Sequence, residues 1–213
     1  MTGPVVVHLD ESCLGNGRQG ENPGGAGGLI EVRSRGQVQR RDFYLHAPAT
    51  TNNRMALAGA STVLRLLATK RKHLRVLMVS DSEYLVKGMR EWVPGWASRR
   101  WTRKAGPIEN LAMWQELAAT ARLHDVEWTW VRGHRGHPKN EYANDLAVRA
   151  AREQGTSDGA VESEFLEWLT KKQGRGLFVG YDPDLAFELL EQRLEAGESF
   201  PLADRISNTP TSQ

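Results

Sequence analysis

Val5-Val6-Val7-His8-Leu9-Asp10 decides the fold. It is an apolar, β-branched run that ends on a carboxylate, as a buried strand does when it delivers a polar side chain at its end. After it, Asn16 to Gly25 is rich in Gly, Asn and Pro and reads as a loop. Gly27 to Arg33 and Val38 to His46 then read as a hairpin turning near Ser34-Arg35-Gly36. Asn52 to Thr69 carries apolar residues at helical spacing, and Leu74 to Ser80 is a second buried-type strand followed by Asp81. Short helices are predicted over Glu83–Lys87 and Glu91–Ala97, and a longer one from Pro107 to Leu123. Asp125 to Val131 is the last strand and Asn140 to Gln154 the last helix of this body. The order predicts an α/β fold, a mixed five-stranded sheet with helices on both faces. Asp10 and Asp81 fall at strand ends, where open α/β sheets place their sites.

A linker is predicted over 155–161, after a first domain of residues 1–154. Beyond it, residues 162–206 form a mostly helical, acidic extension, with helices over Glu162–Lys172 and Asp184–Ala196, and 207–213 read as a disordered tail. Charge is divided accordingly: the chain carries +2 overall, residues 161–213 carry −5 and the first 160 carry +7. A basic body suits a polyanion partner. The single Cys13 excludes an internal disulfide and a thiolate zinc cluster. No apolar run is long enough to span a membrane. Met1-Thr2-Gly3-Pro4 leads directly into the first strand, so the expectation is a soluble cytoplasmic protein.

Four motifs in order, Asp10-Glu11-Ser12-Cys13-Leu14-Gly15-Asn16, Thr50-Thr51-Asn52-Asn53-Arg54-Met55-Ala56-Leu57, Asp81-Ser82 and Gly133-His134-Arg135-Gly136-His137-Pro138, closely resemble the type 1 ribonucleases H. The resemblance spans roughly residues 4–152. It implies a divalent-metal-dependent endonuclease that cuts the RNA strand of RNA–DNA hybrids, leaving 5′-phosphate and 3′-hydroxyl ends. It also implies two Mg2+ ions, or Mn2+ in their place, held by four carboxylates; cations about 3.5–4 Å apart stabilise both attacking and leaving oxygens. Hard cations take oxygen ligands, which is why carboxylates do this work.

Asp10 matches the first carboxylate of that set and Asp81 the third. The second position is Ala56, which has no ligating atom, and the fourth is Asn144, with Asp145 one residue on and about 100° round the helix. An Asn carboxamide ligates a hard cation without bringing charge. Asp145 is either a replacement ligand reached by a small helix shift or a solvated helix-face residue. Glu11 stands where the family commonly has glycine. Strict alternation turns it away from Asp10. It is either a loop glutamate or, through a bend at the strand end, the substitute for the carboxylate missing at Ala56. The alternative function is a catalytically silent hybrid-binding protein.

His134 matches the family's loop histidine, which serves in proton transfer and product release, a role suited to a side chain titrating near neutrality. His137, before Pro138, reads as structural. Asn16, Thr51, Asn52 and Asn53 match positions that contact the hybrid; amides donate to and accept from a 2′-hydroxyl, the group separating RNA from DNA. Residues 90–104 match the family's basic handle and interleave three tryptophans with five cations. Trp92 and Trp96 read as packing residues, while Arg99, Arg100, Arg103 and Lys104 are the phosphate contacts. The extension matches no motif and is a candidate surface for a protein partner.

Overall fold

The computed structural model describes residues 3–15, 22–69, 73–133 and 136–198. The expected tail lies outside them. In chain order the elements are β1 (Val5–Cys13), β2 (Gly24–Ser34), β3 (Gln37–Ala47), α1 (Asn52–Ala68), β4 (Arg75–Ser80) and α2 (Glu83–Lys87). A π-helical turn (Gly88–Trp92) and α3 (Val93–Ser98) follow, then α4 (Leu111–Ala121), β5 (Asp125–Trp130) and α5 (Pro138–Glu153). The chain continues with β6 (Val161–Glu162), α6 (Phe165–Gln173) and α7 (Pro183–Glu195). Among the described residues no helix is long and apolar enough to cross a membrane.

The sheet runs β5-β4-β1-β2-β3-β6, with β1 parallel to β4 and antiparallel to β2. Arg35 and Gly36 both have positive φ (52° and 81°), the two-residue turn whose twist suits a β2–β3 hairpin. Alternation along β1 sorts its side chains. Val5, Val7 and Leu9 join Ala56, Leu57, Ala60, Val63 and Leu64 of α1 in the main core. Val6 faces the other way, into a second core with Leu77, Val79 and the α7 residues Phe187, Leu190 and Leu194.

Helix α5 lies on that second face, directly against β2. A Cβ at Gly25 would stand 2.2 Å from Ala147 O, and one at Gly27 2.5 Å from Leu146 Cβ, so only glycines admit this approach. α6 then covers α5 through Phe165 and Leu169 against Tyr142 and Leu146.

Two expectations are corrected. The sheet has six strands, because Val161 and Glu162 pair with Asp42 and Arg41 of β3. Residues 155–161 accordingly make no slack linker: Ser157 N donates to Tyr44 O at 2.9 Å and Ser157 Oγ accepts from Tyr44 N at 3.1 Å. The acidic extension packs into the same body through α7, whose apolar side closes the sheet. At the handle the helix shifts to a wider turn, with Val93 N–H reaching Gly88 O just before Pro94, which has no N–H to continue the ladder.

Candidate active site

β1 and β4 run in parallel register, Leu9 beside Ser80, so the next residues on each strand, Asp10 and Asp81, sit side by side at one end of the sheet. Asp10 is buried; its Oδ1 accepts from Glu11 N at 2.7 Å and its Oδ2 from Asn140 Nδ2 at 3.1 Å. Asp81 lies against the Gly133 backbone, where a Cβ would meet Asp81 Oδ2 at 2.0 Å. The glycine of the Gly-His loop is therefore required for the carboxylate beside it. Trp130 Nε1 donates to Asp81 O at 2.8 Å and fixes the turn from below.

Glu11 continues the Val5–Val7–Leu9 row, the row that packs on α1 and Ala56, so it faces opposite Asp10 as alternation requires. No bend is needed for it to reach Asp81. Glu11 lies beside the Ser82 side chain and close enough to Asp81 to feel its charge. Its Oε2 is buried with no hydrogen-bond partner among the described residues. Burial, then the neighbouring Asp81 charge, push the Glu11 carboxyl up to about 8. Burial, then Asp81, then Glu11 push Asp10 up to about 9. Three carboxyls thus crowd one strand end, and Asp10 and Glu11 are each raised by their acidic neighbours. Among the described residues no three acidic, His or Cys side chains stand together as a ready metal-ligand set.

The fourth position changes on inspection of α5. Asp145 is exposed and committed to the extension: its Oδ2 accepts from Trp168 Nε1 at 2.7 Å and lies 3.4 Å from Lys172 Nζ. Of the two readings of Asp145, these contacts fit the helix-face residue with an ion-pair partner. Asn140, expected only as the first residue of the last helix, is an α5 side chain that touches the cluster. Asn144 follows it by four residues and so shares its face.

The substrate-side residues divide similarly. Thr51, rather than Asn52, caps α1 by accepting from Arg54 N at 3.4 Å. Asn52 Oδ1 is buried without a partner among the described residues, an acceptor left open at the helix start. Asn53 is half-buried beside it. His137 sits at the start of α5, where its carbonyl receives Glu141 N at 2.9 Å. On the handle, Trp92, Trp96, Trp114 and Tyr84 form an aromatic cluster, with Trp114 Nε1 donating to Tyr84 Oη at 3.0 Å. Arg90 belongs with them, donating to Trp128 O at 3.2 Å. Arg99, Arg100 and Lys104 are exposed. Arg103 is exposed too, but its guanidinium braces its own loop by donating to Gly106 O and Pro107 O. Asn16 and His134 lie outside the described residues.

Comparisons with known proteins agree with this architecture. The family model for RNase H matches residues 2–152. The Ribonuclease H of Pelobacter propionicus is 41% identical over 153 residues, 71% of this chain and 87% of that protein. The Ribonuclease H of Stutzerimonas stutzeri is 39% identical over 146 residues, 68% and 89% of the two chains. Among solved structures, LC9-RNase H1, described as a type 1 RNase H with the type 2 active-site motif, matches with a TM-score of 0.79 and 44% identity. That match covers 100% of this chain and 99% of the other, extension included.

Proposed function

This chain belongs to the RNase H family, an endoribonuclease family acting on RNA–DNA hybrids, and we propose that it cuts the RNA strand through a carboxylate set made of Asp10, Glu11 and Asp81. One observation carries the assignment: the Glu11 carboxyl is lodged beside Asp81 and Ser82 with Oε2 buried and unpartnered. A buried acceptor surrounded by like charges fits a hard divalent cation. The donor set therefore suits Mg2+ or Mn2+, with Glu11 supplying from β1 the carboxylate that Ala56 cannot supply from α1. The description of LC9-RNase H1, a type 1 enzyme with another type's motif, is consistent with such a rearrangement.

Two divalent cations, when bound, would supply the positive charge that attacking and leaving oxygens need. The chain's own groups do the rest. Asp10 and Asp81 present oxygens from adjacent strands, Asn140 orients Asp10 through the 3.1 Å hydrogen bond, and Asn144 offers an uncharged ligand at the fourth position. Thr51, Asn52 and Asn53 meet the hybrid's backbone and 2′-hydroxyls, and Asn16 is assigned the same role. Arg99, Arg100 and Lys104 hold phosphates, while Arg103 shapes their loop. His134 accepts and returns a proton near the scissile phosphate.

The test is cleavage of an end-labelled RNA–DNA hybrid with Mg2+ and then Mn2+, by this chain and by Glu11→Gln. Cleavage by the first and none by the second is expected. A chain that binds hybrid uncut, and cuts only after Ala56→Glu with Asn144→Asp, would instead be the silent binding protein.

A further inference from the structure

On the sheet face that carries Asp10, buried charged or ionisable side chains from four elements meet, and an exposed one from a fifth joins them at the edge. Glu31 of β2 is 0% exposed. Its Oε2 lies 2.7 Å from Lys139 Nζ of α5, and its Oε1 accepts from Arg40 Nε of β3 at 2.9 Å. His8 of β1, two residues before Asp10, places Nε2 3.5 Å from Oε2. Asp184, in the first turn of α7, closes the cluster on Arg40 Nη2 at 2.6 Å. Lys139 is also tied to the extension directly, donating to Pro183 O at 3.3 Å and lying 6.0 Å over the Phe187 ring.

Lys139 immediately precedes Asn140, and both are buried in the first turn of α5. Both line one small cavity of about 20 Å3, with His8 and His137. Successive helical side chains leave about 100° apart, so Lys139 reaches towards Glu31 and α7 while Asn140 reaches Asp10. A slide or rotation that broke one contact would move the other. Buried ion clusters are poor sources of stability, because apolar groups of similar volume often replace them at no loss. What such a cluster fixes is geometry.

We propose that Lys139 is a positioning residue of the active site: anchored between Glu31 and the start of α7, it sets the angle at which Asn140 meets Asp10. Through it the C-terminal extension takes part in holding the metals. The proposal rests on the metal-site reading given above, and its test separates the two. Mn2+ affinity is measured by calorimetry, apart from hybrid cleavage, for four chains: the protein itself, Asn140→Ala, the charge-neutral pair Glu31→Gln with Lys139→Met, and all three changes together. The pair is expected to weaken Mn2+ binding on the order of tenfold, as loss of an outer-shell support does. It should lower kcat alike and leave KM for the hybrid within about twofold. On the Asn140→Ala background the pair should cost nothing more, because its effect passes through Asn140. Unchanged Mn2+ affinity in the pair, or losses that multiply with Asn140→Ala, would overturn the proposal. Should the pair fail to fold, Lys139→Arg, which keeps the charge and lengthens the bridge, carries the same comparison with the same two overturning results. A protein that binds Mn2+ yet leaves hybrid intact would sink the hydrolase reading while the affinity comparison still decides this one.

Discussion

Two clusters of buried charge sit at neighbouring heights on the same sheet, and they are built on opposite plans. Around Glu31, each charge has a counter-charge within hydrogen-bonding range, supplied by Lys139 and Arg40, with Asp184 answering Arg40 in turn. Around Asp10, three carboxyls gather, and Asp10 and Glu11 are each raised by burial and by their acidic neighbours. Burial alone would raise the Glu31 carboxyl, but Lys139, His8 and Arg40 together hold it down at about 2. The same burial, reinforced by neighbouring carboxyls and only partly offset by hydrogen bonds, carries Asp10 and Glu11 up to about 9 and 8. The first set is balanced by the chain's own cations, whereas the second holds raised carboxyls that a bound cation would relieve.

The largest effect should come from breaking the closed cluster on one side only. Glu31→Gln leaves Lys139 buried without its counter-charge, a change worth about 3–5 kcal/mol of stability. Urea denaturation measures it, and adding Lys139→Met should recover most of the loss. In the open cluster the sign reverses: Glu11→Gln removes a carboxyl whose ionisation the metal-free fold opposes, so that protein should melt no lower than the original. Cleavage should nonetheless fall by more than the roughly 10–100-fold that supporting residues cost. A melting temperature that drops as far as it does for Glu31→Gln would mean that Glu11 is structural.

The two clusters also predict opposite responses to pH in metal-free protein. Asp10 and Glu11 have folded values above their unfolded ones, so their contribution is full below about pH 4 and is lost as pH rises through about 8 to 9. Glu31 has a folded value below its unfolded one, so its contribution is present above about pH 4.5 and is lost as pH falls through about 2. Thermal melts from pH 5 to 9 should therefore decline on the alkaline side, and saturating Mn2+ should flatten that limb. An alkaline limb that ignores Mn2+ would separate the carboxyls from metal binding.

The sequence made one cluster legible and hid the other. Strand alternation around Val5-Val6-Val7-His8-Leu9 fixed which side chains enter which core, and the parallel strand ending in Asp81 fixed the site's place. Glu11 was the instructive residue. Its alternation, facing away from Asp10, pointed towards α1 and the gap left by Ala56, so the side that argued against it is the side on which it reaches Asp81. Asp145 could not be read, because its partners Trp168 and Lys172 come from a helix whose docking no local pattern announces. Asn140 looked like any helix-start asparagine. Glu31, Arg40 and Lys139 looked like solvated charges, since pairing in the interior depends on α5 approaching β2 through Gly25 and Gly27. Val161-Glu162 was too short a run to show a strand period.

The smallest expected effect belongs to a third kind of charge, exposed and neither closed nor crowded. Arg99 and Arg100 stand on the handle with solvent around them, held there by the tryptophans beneath. Changing both to Ala should leave stability within about 0.5 kcal/mol, as surface substitutions usually do, and leave kcat unchanged, because neither approaches the carboxylates. KM for the hybrid should rise, and the slope of log affinity against log salt should fall by about 1 for each phosphate contact removed. A loss of kcat with an unchanged salt slope would assign these arginines to shaping the site. The expected result would divide the molecule's charge by environment: paired and buried for position, crowded and buried for metal, exposed for the polyanion.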